Sequence, residues 1–218
     1  MGGMPEYCAM ALSTARQETP EAQQMTVIGI TGGMGAGKSV VSGILATLGH
    51  VVYDADAAAK FLYDHDGTLL RAVVERFGPG ILDEGGRLDR KALAEVVFHD
   101  PVALAALNAL VHPAVSRDFE AWKRRQQQAG RSVVFREAAI LFESGSHATC
   151  DEVWAVTAPV ALRVERCRQR ASGSEAEILK RMRQQWPAEK VNAQAHHVLL
   201  NDGSCALVPL VIDLVSKI

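Results

Sequence analysis

Gly32-Gly33-Met34-Gly35-Ala36-Gly37-Lys38-Ser39 is the stretch that decides the fold of this 218-residue chain. It spells G-x-x-x-x-G-K-[ST], and its surroundings match the motif's mechanics. Val27-Ile28-Gly29-Ile30 before it is a short apolar run, as in a buried parallel strand. Behind it, Val40, Val41, Ile44, Leu45 and Leu48 recur at helical spacing, and Gly49 is placed to close that helix. Strand, glycine-rich turn and helix form a phosphate cradle. The glycines let the backbone turn tightly and present N–H groups to phosphate oxygens, and the helix N-terminus adds partial positive charge. Lys38 can reach the β- and γ-phosphates of a nucleoside triphosphate, and Ser39 can hold Mg²⁺ through its hydroxyl.

Val51-Val52-Tyr53 reads as a second strand, ending in Asp54-Ala55-Asp56. From Ala57 to Gln128 the pattern is helical with breaks. Thr68 to Phe77 is one helix, closed by Gly78-Pro79-Gly80. Arg90 to Phe98 is another, capped by Asp89, and Pro101 opens a third. His112-Pro113 is expected to interrupt that third helix, which resumes over Ala114 to Gln128. Strands return at Ser132–Phe135, running on toward Ala138–Leu141, then at Val153–Thr157 and Val198–Leu200. A charged helical segment, Val160 to Gln185, lies between the last two. Such alternation predicts an α/β fold with a parallel sheet and helices on both faces, carrying a helical insertion after the second strand.

Composition excludes several classes. A net charge of -2 provides no basic stripe for a nucleic-acid partner, and no apolar run reaches the ~20 residues of a membrane helix. Cys8, Cys150, Cys167 and Cys205 are far apart, without metal-ligand spacing, as expected of free thiols in a reducing compartment. Residues 1–24 lack the long apolar core of a signal peptide. They read either as a disordered extension or as translation from too early a start, with Met25 as the alternative. The expected location is cytoplasmic.

Four further features carry chemistry. A carboxylate of Asp54-Ala55-Asp56 sits where a strand ends beside the cradle. There it either accepts a proton from an attacking hydroxyl or caps the helix beginning at Ala57, and one of the pair can do each. Arg163, Arg166, Arg168, Arg170, Lys180, Arg181 and Arg183 form either a solvated helix face or a basic lid over a transferring phosphoryl group. Asn201-Asp202-Gly203 follows the last strand, as a nucleotide-base contact or a plain turn. A lone histidine such as His112 is more often structural than catalytic, and no other histidine has the spacing to make a metal site with it.

Taken in order, Ile28-Gly-Ile-Thr-Gly-Gly-Met-Gly-Ala-Gly-Lys-Ser39, Asp54-Ala-Asp56, Leu107 to His112-Pro113, Ala139-Ile-Leu-Phe-Glu143, Arg181-Met-Arg-Gln-Gln185 and Asn201-Asp-Gly203 resemble the dephospho-coenzyme A kinase family from about Thr26 onward. Phe142-Glu143-Ser144-Gly145 and Gln185-Trp186 resemble its Bacteroidetes-type branch. The resemblance implies a P-loop kinase core with a five-stranded parallel sheet. It also implies a helical coenzyme A subdomain over 57–128 and a lid over 160–190, all within a domain spanning 25–218. The implied reaction is ATP-dependent phosphorylation of the ribose 3′-hydroxyl of dephospho-coenzyme A, with Mg²⁺.

Residue by residue, the resemblance implies that Gly33, Met34, Gly35, Ala36, Gly37, Lys38, Ser39 and Val40 hold ATP, with Asn201 near the adenine. Asp54 is implied as general base, His112 as an acceptor contact, and Arg166 or Arg170 as a lid arginine beside the catalytic Lys38. Two positions depart from the pattern. Arg170-Ala171 stands where family members commonly have Arg-Asp, and Arg136 before Glu137 is unfamiliar. The implied partners are small molecules, ATP and dephospho-coenzyme A, bound by a monomer or weak homo-oligomer. A nucleoside or nucleotide kinase would share the P-loop, base and lid. A GTPase-type switch needs N-K-x-D, which is missing, and although Asp83-Glu-Gly-Gly86 formally spells its D-x-x-G, that stretch sits inside the insertion beside a turn. A binding module with a dead site conflicts with intact Lys38, Ser39 and Asp54.

Overall fold

The computed structural model describes residues 25–98, 100–170 and 174–218. Five strands form one parallel sheet: β1 (Thr26–Thr31), β2 (Val52–Asp54), β3 (Val133–Glu137), β4 (Glu152–Thr157) and β5 (His197–Leu200), in the order β2-β3-β1-β4-β5. The central strand β1 pairs with β3 on one side (Ile28 opposite Phe135) and β4 on the other (Ile30 opposite Trp154). The chain leaves β1 toward one edge and later returns to its other side. The crevice at the carboxyl end of β1 is therefore the switch point at which such sheets bind ligands.

Alternating side chains of β1 serve two cores, which is why the run is apolar throughout. Ile28 and Ile30 pack with Phe135, Trp154 and Val156 against α1 (Lys38–Thr47) and α9 (Leu207–Val215), through Val41, Leu45 and Val211. Val27 faces the opposite core with Tyr53, Val134 and Val153, beneath the inserted helices and α8 (Ala188–Gln194). Gly49 closes α1 in a left-handed turn (φ 87°). Its N–H bonds Ala46 O, and the next N–H, of His50, bonds Leu45 O, which makes a Schellman closure.

The insertion comprises α2 (Ala55–His65), α3 (Gly67–Phe77), α4 (Arg90–Phe98) and α5 (Pro101–Gln128). Asp66, Asp89 and Asp100 cap the last three through side-chain oxygens. The expected break at His112-Pro113 does not occur: α5 runs through Pro113. Its buried stripe of Leu107, Val111, Ala114, Val115 and Phe119 holds the helix together across the one missing N–H donor.

Three other expectations are corrected. Ala138–Leu141 is not strand. After Glu137 the Ala138 N–H bonds Ile30 O, and the chain then turns through Ser144 N–H to Ile140 O and Gly145 N–H to Phe142 O. The charged segment from Val160 is two helices, α6 (Val160–Arg170) and α7 (Glu175–Met182), the second opened by a Ser174/Glu177 capping box. Helices α8 and α9 were not anticipated. The expectations for residues 1–24 and for Ala171 lie outside the described residues. Among those residues, no helix is long and apolar enough to cross a membrane.

Candidate active site

The cradle forms because α1 starts directly at Lys38 and Gly37 caps it in a left-handed conformation (φ 105°) that side chains rarely adopt. A Cβ on Gly37 would also lie 2.1 Å from Asn201 Nδ2. Asn201, after β5, donates to Ala36 O at 2.8 Å and so braces the loop from the far side. Ser39 and Val40 stand exposed on the first turn of α1. Lys38 Nζ donates back to Gly32 O at 2.9 Å. Burial lowers its pKa, with Glu137, Asp56 and Asp54 acting the other way and Arg163 adding to the drop.

Helix α6 lies against the loop. Arg163, 7% exposed, donates from Nε to Met34 O at 2.9 Å, and its guanidinium would meet a Cβ on Gly33 at 2.2 Å. Arg166 reaches Gly35 O and Ala36 O at 3.5 Å and Asn201 Oδ1 at 3.4 Å. These are loose contacts that leave the guanidinium free to turn to a ligand. Arg170 is exposed one turn further along the same face. Met34 packs with Val164, Cys167 and Ile178, which joins α6 and α7 to the loop.

The two carboxylates of the Asp-x-Asp pair lie in different settings. Asp54, the end of β2, accepts the Ala57 N–H at 2.9 Å through Oδ1 and is the N-cap of α2. Asp56, in the first turn, points into the cleft. Partial desolvation there raises its pKa, Lys38 opposes the rise, Asp54 adds to it, and the Ala139 N–H favours the ionised form. Glu137 ends β3 directly opposite Asp54. Burial raises its pKa, while the hydrogen bond from the Ser42 hydroxyl and the charge of Lys38 favour its ionised form. Three carboxylates thus face one lysine at the carboxyl edge of adjacent strands.

From Asp56 a pocket of about 200 Å³ opens toward the insertion. Small apolar walls, including Ala55, Ala59, Val111 and Ala138, alternate with Asn108, His112, Arg136 and Ser144. His112 lies half-buried in this wall, and burial, helped by the positive charge of Arg136, lowers its pKa. The structure therefore brings together the P-loop, Asp54, Asp56, His112, Arg166 and Asn201, and leaves Arg170 at the rim.

Asp56 belongs to the pair that the sequence singles out, and Asp54 is the member engaged in the cap. Sequence reasoning missed two groups here. Glu137 was readable as a carboxylate ending the strand that follows the insertion. Gln185 accepts the Met34 N–H at 2.8 Å and donates to Ala139 O at 3.0 Å, and nothing local announces that.

A β2-β3-β1-β4-β5 parallel sheet with a P-loop at its switch point and carboxylates beside the loop lysine defines a P-loop kinase. Within that class the chain belongs to the dephospho-CoA kinase family, whose model matches residues 26–206. It is 42% identical over 182 residues to a dephospho-CoA kinase of Chlorobaculum tepidum, covering 82% of this chain and 87% of that one. It is 39% identical over 196 residues to that of Porphyromonas gingivalis, covering 89% and 95%. Among solved structures, TT1252 from Thermus thermophilus superposes with a TM-score of 0.76 at 36% identity, covering 89% of this chain and 97% of that one. The dephospho-CoA kinase from Campylobacter jejuni has the same fold at a TM-score of 0.64 and 23% identity, covering 88% and 96%.

Proposed function

We propose that this chain transfers the γ-phosphoryl group of ATP to the ribose 3′-hydroxyl of dephospho-coenzyme A, giving coenzyme A and ADP, the final step of coenzyme A biosynthesis. Beyond family membership, one observation carries the reading. A carboxylate, Asp56, which senses the charge of the loop lysine, lines a pocket on the insertion side, where an acceptor hydroxyl has to sit for transfer.

In this reading ATP lies along 33–40 with its phosphates on the loop amides, and its adenine lies toward Asn201. Lys38 turns from the Gly32 carbonyl to the β- and γ-phosphates, and Arg163 and Arg166 neutralise charge spreading over the transferred group. Arg170 joins them when α6 and α7 close as a lid over 160–190. The acceptor lies in the pocket against His112, with 57–128 as its subdomain. Asp56 takes the proton of the 3′-hydroxyl as that oxygen attacks, while Asp54 keeps the α2 N-terminus in register. We therefore assign the base to Asp56.

The donor set suits Mg²⁺. It offers the Ser39 hydroxyl on the first turn of α1 and, at the carboxyl edge of β3, the Glu137 carboxylate that senses the charge of Lys38. Few hard oxygen donors of this kind fit a cation whose remaining ligands are phosphate oxygens and water. Bound there, Mg²⁺ supplies charge neutralisation at the β- and γ-oxygens. The reading includes a cytoplasmic enzyme that works as a monomer or weak homo-oligomer. The test is coupled ADP release with dephospho-coenzyme A beside adenosine, cytidine and shikimate. Turnover is expected with the first. Turnover with a nucleoside and only background with dephospho-coenzyme A would overturn the reading.

A further inference from the structure

Arg136 is the residue of this chain that the reaction above leaves without a task. It is 2% exposed in the middle of β3, yet it lines the acceptor pocket with Asp56, His112 and Ser146. A guanidinium carries five N–H donors and stays charged. Thr149 Oγ1 takes one donor from Nη1 at 2.9 Å, and Ser146 Oγ takes one from Nη2 at 3.3 Å. The Nε donor is buried without any acceptor.

No carboxylate of the described residues pairs with this charge. Glu120 attracts the guanidinium only at longer range and makes its ion pair with Lys123, and Asp118 accepts the Tyr53 hydroxyl at 2.7 Å. Asp56 is shaped first by burial and then by the charge of Lys38, and no ion pair joins it to Arg136 among the described residues. The other groups near Arg136 are neutral at physiological pH. Burial pushes the Cys150 thiol up to about 11, raises the Tyr53 phenol further, and keeps His112 low. The ring of Phe119, 4.4 Å below the guanidinium carbon, offers only its quadrupole. A buried cation held by two hydroxyls and a ring, with an orphaned donor, is costly unless something negative arrives.

We propose that Arg136 is the anion-recognition residue of the acceptor pocket, giving a charge-assisted hydrogen bond to the diphosphate that links adenosine to the pantetheine arm. The inference rests on the acceptor reading above and deepens it. Asp56 selects and activates the hydroxyl, while Arg136, further into the same pocket, measures whether the acceptor carries an anion. A neutral nucleoside leaves the guanidinium unpaired, so the pocket discriminates against it by the same physics that makes an orphaned buried charge costly.

The experiment compares wild type with Arg136→Met, which keeps the length and apolar stem of the side chain and removes its charge. Kinetics are measured at saturating ATP with dephospho-coenzyme A. Two competitive inhibitors are compared, 4′-phosphopantetheine, which carries a phosphate, and pantetheine, which does not. The wild type is expected to bind the phosphorylated arm about tenfold or more tightly than the unphosphorylated one. In Arg136→Met that ratio is expected to fall toward one, with the KM for dephospho-coenzyme A raised and the KM for ATP unchanged. A purely structural arginine would not move the ratio. A wild type blind to the phosphate, or a folded variant with the wild-type ratio, would overturn the assignment. If the methionine variant does not fold, Arg136→Gln, which is also uncharged, takes its place, and an unchanged ratio there overturns the assignment equally. Absence of wild-type turnover with dephospho-coenzyme A would instead remove the acceptor reading itself.

Discussion

Gln185, in the turn after α7, accepts the backbone N–H of Met34 through Oε1 at 2.8 Å while its Nε2 donates to Ala139 O at 3.0 Å. One amide side chain thereby ties the phosphate loop to the turn after β3 that carries the wall of the acceptor pocket. Beside it, Trp186 donates its backbone N–H to Glu143 at 2.8 Å and lies parallel to Phe142. Gln185→Leu fills similar space but leaves a donor and an acceptor unpaired. It is expected to lower unfolding free energy by about 1–3 kcal/mol in a denaturant titration. It is also expected to raise the KM of both substrates, because both walls move. A variant with wild-type KM values would reduce the bridge to a local staple.

The divided Asp-x-Asp pair gives a direct comparison. Asp56→Asn is expected to lower kcat by ~10²–10⁴-fold, the usual range for a general acid–base group, with ATP affinity nearly unchanged. Asp54→Asn is expected to leave turnover near normal, because asparagine caps a helix about as well as aspartate. Single-turnover rates for the two proteins decide the assignment. Loss of the chemical step in Asp54→Asn with a normal Asp56→Asn would return the base to Asp54.

The raised pKa of Asp56 fixes two pH effects. The base must be ionised, so the acid limb of kcat/KM is expected above the usual aspartate range and to vanish in Asp56→Asn. For stability the sign is reversed. A carboxyl whose folded pKa is raised favours the fold below its unfolded pKa, and that contribution is lost as pH rises through the folded value. At neutral pH Asp56→Asn is therefore expected to melt no lower than wild type. At a pH below the usual carboxylate range any advantage disappears. A marked neutral-pH loss of Tm would show that Asp56 supports the fold.

Gly37→Ala is expected to abolish ATP binding while leaving the sheet intact. The substitution strains a φ of 105° and drives a Cβ into Asn201 Nδ2 at 2.1 Å. Isothermal titration with ATP and far-ultraviolet circular dichroism check the two halves of this statement.

These comparisons also mark where the sequence was informative. The P-loop and its flanking strand and helix were legible because glycine spacing, strand periodicity and helix periodicity agree there. The insertion was legible through the cap at Asp89 and the opening proline Pro101. Pro113 misled, because a proline's local cost says nothing about the buried stripe on either side of it. The run after Glu137 misled because Ala138 to Leu141 is as apolar as a strand, and only its hydrogen bonds reveal the turn. Within the site, Lys38 follows from its motif. The bridge made by Gln185 spans about 150 residues of chain, and the isolation of Arg136 depends on which neighbours lack charge. Neither relation has a local signature. Which carboxylate of the Asp-x-Asp pair caps α2 was likewise not legible in the sequence, since either spacing suits a cap.

The most direct measurement of the central claim is a phosphorus NMR spectrum of the product formed from ATP and dephospho-coenzyme A by the purified chain. The account predicts one new phosphomonoester resonance per acceptor, coupled to the ribose 3′ proton, with ADP formed in equal amount. No new monoester, or a phosphoryl group at any other position of the acceptor, would contradict it.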